Sequence, residues 1–435
     1  MKIPKIPSPF PHTSRRRFVQ GLAAGGVLAA MPGLLYARAK SEFAHSGTAP
    51  VLSGQEIDLV IAKSPVNFTG AARMATTING SIPAPTLRLR EGDEVTIRVT
   101  NQLSESTSIH WHGIILPFQM DGVPGISFSG IAPGETFVYR FKLQQSGTYW
   151  YHSHSGFQEM TGMYGALIIE PRGEDVIHSD RDHVVELSDW TDEDPMRVFG
   201  KLKIQGDNYN FNQPTAADFL RDMSEKGLGG AMQKRRMWNQ MRMNPTDMAD
   251  LSAATLTYLM NGTTPAGNWT GLFRRGERVR LRFINAASNS MYDVRIPGLK
   301  MTVVQADGQN VEPVSVDEFR FGPGETYDVI VEPDDDAYTV FAQSMDRTGY
   351  ARGTLATRPG LSAAVPEPDP VEWLTMRDMM GNMVHGGGAG SMNHAAMGQD
   401  MPGMNHGGMA MDHSAHTKHH NPLAVPSQEV RHART

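Results

Sequence analysis

Alternation of apolar and polar residues dominates the first third of the chain. Glu56–Ala62 and Thr86–Arg90 alternate loosely, Asp93–Thr100 alternates cleanly, and Phe137–Leu143 alternates again. A period of two marks strands with one buried face. Asn79-Gly80, the Pro83/Pro85 pair and Pro171 punctuate these runs as turns. Ser108–Ile115, Gly147–His152 and Gly165–Glu170 add further short strands. Strands at roughly 8–12-residue spacing predict a sandwich or barrel.

The pattern then repeats. Asn261-Gly262 with Pro265 echoes Asn79-Gly80 with Pro83, and Arg275–Arg282 echoes Glu91–Arg98. Asn285 answers Asn101, and Gly322-Pro323-Gly324-Glu325-Thr326-Tyr327 answers Ala132-Pro133-Gly134-Glu135-Thr136-Phe137. Offsets of 182 to 190 residues indicate a duplicated domain rather than a solenoid. The copies are expected at 40–172 and 173–358, with an insert at about 195–260. Within the insert, Ala216–Glu225 and Asp247–Met260 read as helices. Met232, Met237, Met241, Met243 and Met248 surround the basic run Lys234-Arg235-Arg236. They serve either as adaptable core filler or as a surface that handles Cu(I).

Composition narrows the chemistry. The chain has 435 residues, 40% hydrophobic and 20% charged, with 44 Gly and 28 Pro, which suits a turn-rich β protein. It has no cysteine, which excludes disulfides, cysteine nucleophiles and any thiolate metal site within it. In their place stand 27 Met and 16 His, and thioether with imidazole points to copper. Ser14-Arg15-Arg16-Arg17-Phe18 resembles a twin-arginine export signal; Gly21–Leu35 is a mild apolar run, and Ala37-Arg38-Ala39 offers a cleavage site. Residues 1–39 therefore read as a signal peptide for export to the periplasm. Beyond them, 34 Lys and Arg face 46 Asp and Glu, a net charge of −12. That balance argues against nucleic acid and anionic membrane surfaces as partners, and no stretch is long enough for a membrane span.

From about Pro359 the composition changes. Pro366-Glu367-Pro368-Asp369-Pro370 reads as an extended linker. Residues 376–435 then hold ten Met and eight His among Gly, Asn and Ser, too few branched or aromatic residues for a core. We expect a disordered copper-binding tail. Its candidate ligands are Met376, Met379, Met380, Met383, His385, Met392, His394, Met397, Met401, Met404, His406, Met409, Met411, His413 and His416.

Two histidine pairs concentrate the remaining chemistry. His110-Trp111-His112 and His152-Ser153-His154 each place two imidazoles two residues apart, on one face of a strand. Neighbouring strands would bring all four together. Carbonic anhydrase-like zinc sites and cupins also use such pairs. A cupin would want a carboxylate soon after the first pair, and Gly113–Met120 has none; neither alternative explains the tail. No histidine lies between His183 and His385, so the second copy reads as a structural or docking domain.

His110-Trp111-His112-Gly113 and Tyr149-Trp150-Tyr151-His152-Ser153-His154 resemble the first two copper motifs of multicopper oxidases. Asn79-Gly80-Ser81-Ile82-Pro83-Ala84-Pro85 and Asp121-Gly122-Val123-Pro124 resemble the family's spacers. The export signal, the Met-rich insert and the Met/His tail resemble its bacterial copper-resistance branch, the CopA type. The resemblance implies an all-β chain with two cupredoxin-like Greek-key β-sandwich domains and a partly helical insert. It implies copper as cofactor, with His110 on the type 2 copper and His112, His152 and His154 on the type 3 pair of a trinuclear cluster. A complete family enzyme oxidises Cu(I), phenols or similar donors and reduces dioxygen to water.

The family's third cupredoxin domain, with His-x-x-His-x-His and His-Cys-His motifs, has no counterpart in these 435 residues. Four of the eight trinuclear ligands are therefore expected, and no oxidase turnover from them alone. A separate polypeptide could supply the missing domain. The alternative is a non-enzymatic periplasmic copper-sequestration protein that works through the tail.

Overall fold

The computed structural model describes residues 45–46, 49–210, 214–241 and 251–371. The signal-peptide reading of residues 1–39 and every candidate ligand of the tail lie outside them. What is described is an all-β architecture of four mixed sheets, as the alternation predicts.

The first two sheets form one sandwich. One has six strands in the order His45–Ser46, Ser81–Ile82, Arg73–Ile78, Glu56–Val66, Glu94–Asn101 and Thr136–Lys142. The other runs Val51–Ser53, Thr86–Arg90, Tyr164–Glu170, Gly147–His152 and His110–His112, which puts the two histidine strands side by side at an edge. Its apolar cluster includes Leu59, Ile97, Trp111 and Tyr151.

A second sandwich, built from strands between Arg181 and Ala356, repeats the plan. The repeated sequence marks have matching jobs. Asn79 (φ 52°) and Asn261 (φ 48°) open turns in the left-handed region, each followed by a glycine. The Asn79 side chain accepts from Val60 N and that of Asn261 from Glu186 N, both at 2.7 Å. Asn101 Nδ2 donates to Glu105 O and Ile131 O, as Asn285 Nδ2 donates to Ser290 O and Phe321 O. An asparagine that pins a loop to the end of its strand explains why both copies keep one there.

Between the sandwiches lies a third apolar cluster, with Ile82, Trp150 and Tyr164 from the first and Trp190, Leu259 and Ile284 from the second. Polar ties join the same faces. Thr148, on the second histidine strand, donates to Asp328 Oδ2 at 3.0 Å, and Thr326 Oγ1 donates to the Thr148 carbonyl at 3.0 Å.

Two helices sit in the insert. In α1, Pro195–Ile204, the Asp194 side chain caps by accepting from Met196 N and Arg197 N, and Pro195 opens the first turn. In α2, Ala216–Met241, Thr215 and Asp218 cap reciprocally before the first turn. This helix outlasts the expected Ala216–Glu225: interrupted at Gly227 (φ 70°), it runs on through Gly229 and Gly230 into the good helix formers Ala231–Arg236. The other expected helix, Asp247–Met260, is corrected. Residues 247–250 lie outside the described ones, and Leu256–Met260 is a strand paired antiparallel with Arg181–Thr191. Burial between strands outweighs helical periodicity in so short an apolar run.

Candidate metal centre

The register of the histidine strands builds the site. Trp150 pairs with His112, Tyr151 with Trp111, and His152 with His110. Residues directly opposite in an antiparallel pair share a face. Trp111 and Tyr151 therefore point into the first core, where Trp111 is 1% exposed and packs edge-on to Tyr139. His110, His112, His152 and Trp150 share the opposite face. His154, just past the strand, completes the group, its ring centroid 4.7 Å from that of His110.

One donor nitrogen each from His110, His112 and His152 lies within 4.8 Å of the other two. His112 Nδ1 and His152 Nε2 are 3.3 Å apart. Burial, then the crowding of neighbouring imidazoles, pushes His112 down to about 4. Burial likewise sets His110 and His154 below the ordinary histidine value. Imidazoles whose donor nitrogens turn on one another make a candidate ligand set. An all-imidazole set fits copper, which accepts nitrogen donors readily.

Residues that sequence reasoning gave no role hold these rings in place. The His110 Nδ1 bonds to the Asp121 carbonyl oxygen at 2.7 Å, which leaves Nε2 for the metal side. His152 stacks on Trp150 at 4.0 Å and 9° between planes, and its Nδ1 lies 2.8 Å from Glu159 Oε2. From the second sandwich, Gly324 (φ +87°) closes on His112, where a Cβ would stand 3.2 Å from Cε1. Asp121 and Gly324 lie in motifs visible in the sequence, as a spacer and as a repeated turn. Nothing in the linear pattern marks Glu159.

The matching strand pair of the second sandwich, Tyr292–Arg295 against Ala337–Ser344, carries ion pairs instead. Asp293 is held by Arg320 and Arg347, and Arg295 by Glu318 and Asp369. Of the insert methionines, Met232 is exposed on α2. The side chains of Met237 and Met241 are not among the described ones, and Met243 and Met248 lie outside the described residues.

Family models described as multicopper oxidase match residues 60–174 and 181–360. The chain belongs to the multicopper oxidase family. Copper is accordingly its cofactor. Within the family the chain stands with the bacterial copper-resistance proteins. It is 58% identical over 403 residues to copper resistance protein A of Escherichia coli, across 92% of this chain and 64% of that protein. It is 59% identical over 385 residues to the copper resistance protein A homolog of Pseudomonas syringae pv. tomato, across 88% of this chain and 64% of the homolog. The chain thus spans 64% of the length of these curated relatives. Among solved structures it resembles the laccase of Botrytis aclada, with a TM-score of 0.55 and 28% identity over 76% of this chain and 57% of the laccase.

Proposed function

We propose that this multicopper oxidase chain presents one wall of a trinuclear copper site in bacterial copper resistance. His110 would hold the type 2 copper, and His112, His152 and His154 the type 3 pair. The observation that carries the reading is the convergence of these rings on one sheet face, three of them with donor nitrogens within 4.8 Å of one another. Bound copper would supply the one-electron chemistry by which dioxygen is reduced to water. The chain's own share is to hold the imidazoles at fixed angles, through the Asp121 carbonyl, Glu159 and the Trp150 ring. Trp150, 2% exposed, also shuts water out from the second-sandwich side.

Turnover with Cu(I) or a phenolic donor needs further ligands. This sequence has no cysteine, so a type 1 copper of the family kind takes its ligands from outside these 435 residues. A further cupredoxin domain, within a longer polypeptide or on a separate one, is the partner that would supply them. The export motif at Ser14–Phe18 supports delivery to the periplasm by the twin-arginine route. Among the described residues, no helix is long and apolar enough to cross a membrane.

A second reading, sequestration of copper without turnover, is favoured by the ten Met and eight His of residues 376–435. Copper content of the chain with and without those residues separates the two. Copper kept by the shortened chain and lost on His110→Ala with His152→Ala supports the histidine site. Loss of nearly all copper with the tail supports sequestration.

A further inference from the structure

The loop that follows the second histidine pair, residues 155–162, is gripped by both sandwiches. On one side, Met160 is buried in the second sandwich's apolar cluster with Val198 of α1 and Tyr209. The Phe157 ring lies 5.6 Å from that of Phe199, also on α1. On the other side, Gln158 Oε1 accepts from Thr107 Oγ1 at 2.7 Å and from Ser153 Oγ at 2.9 Å. Its Nε2 donates to the Ser106 carbonyl at 3.0 Å. A loop fixed on both flanks has little freedom to place the residue between Gln158 and Met160.

That residue is Glu159. Its Oε2 lies 2.8 Å from His152 Nδ1, with the carboxylate side chain 23% exposed and the imidazole 7%. With Nδ1 donating to the carboxylate, the lone pair of His152 is on Nε2, the atom that faces His112. The stacked Trp150 fixes the plane of the ring. The second sandwich thus reaches the site through this loop as well as through Gly324 against His112.

We propose that Glu159 is a positioning residue of the copper site, whose carboxylate fixes the Nδ1–H form of His152 and strengthens Nε2 as a copper donor. The inference rests on the reading of His152 as a copper ligand. A histidine that donates its second nitrogen to a carboxylate is held in one orientation and is the more basic ligand. The negative charge beside the ring also favours Cu(II) over Cu(I), since it offsets more of the dication's charge.

The test compares the full chain as wild type, Glu159→Gln and Glu159→Leu, so that the tail is common to all three. In the metal-free proteins, ring 15N shifts report the tautomer of His152, assigned by its loss in His152→Gln. Wild type and Glu159→Gln, whose amide oxygen still accepts, should show the Nδ1–H form, and Glu159→Leu a mixture. Cu(II) affinity, read by competition with a chelator, should fall about 10–100-fold in Glu159→Leu and less in Glu159→Gln, with thermal unfolding of the metal-free chains unchanged. Wild-type tautomer or wild-type affinity in Glu159→Leu overturns the proposal. So does an affinity loss matched by a loss of folding, which marks a purely structural role. Full Cu(II) binding by His152→Gln overturns instead the ligand assignment on which the proposal stands.

Discussion

Gly122 stands directly against Ile109: at φ +81°, a Cβ added to it would overlap the Ile109 carbonyl oxygen. This close approach lays the Asp121 carbonyl beside the His110 ring. Gly122→Ala meets both the backbone overlap and an unfavourable left-handed φ. We expect it to destabilise the chain by about 2–4 kcal/mol and to reduce copper at the histidine site. Urea unfolding and copper content check this. Wild-type values for both would show that the loop does not hold His110.

Asp328 is the ionic centre of the contact between the sandwiches. It is 0% exposed and accepts from Arg280, Arg282 and Thr148, the last on the strand that ends in His152. Asp328→Ala takes one carboxylate from two guanidinium groups that are themselves 2% and 5% exposed, leaving Arg280 to Asp175 and Arg282 to Asp182. Removing one charged partner while the others remain costs about 2–3 kcal/mol. The denaturation midpoint should fall accordingly, whereas Thr148→Val, which removes one neutral hydrogen bond, should cost about 1 kcal/mol. Equal small losses for both variants would contradict a charged centre.

Glu186 gives the fold a pH signature. Its side chain is buried, one oxygen has no partner, and burial pushes the carboxyl up to about 8. Folded, it keeps its proton between its ordinary value of 4.5 and about 8, where the unfolded chain has released it. The native state then binds more protons, so this carboxyl's contribution to stability is greatest below 4.5 and declines as pH rises through that window. Glu186→Gln mimics the protonated form and should flatten the decline, gaining a few kcal/mol near pH 8 relative to wild type. Thermal unfolding across pH 5–9 reads this out, and parallel profiles for the two proteins would contradict it.

How much of this was legible follows from the range of each interaction. Asn79 and Asn261, the alternating strands and the two histidine pairs act over a few residues, so their spacing alone announces them. Leu256–Met260 misled because a five-residue apolar run has no period of its own, and its partner strand begins 75 residues earlier, at Arg181. Within the site, the four imidazoles could be read from two short motifs because strand geometry aims alternate residues one way. Glu159 could not. Its role depends on Met160 being held by residues of the second sandwich, a contact between segments that no local pattern encodes.

Copper at these four histidines underlies every functional statement above. Anomalous diffraction at the copper edge from crystals of the copper-loaded chain tests it directly. We expect a peak bounded by His110, His112, His152 and His154, absent from the His110→Ala/His152→Ala variant. A loaded chain whose peaks avoid these rings would contradict it.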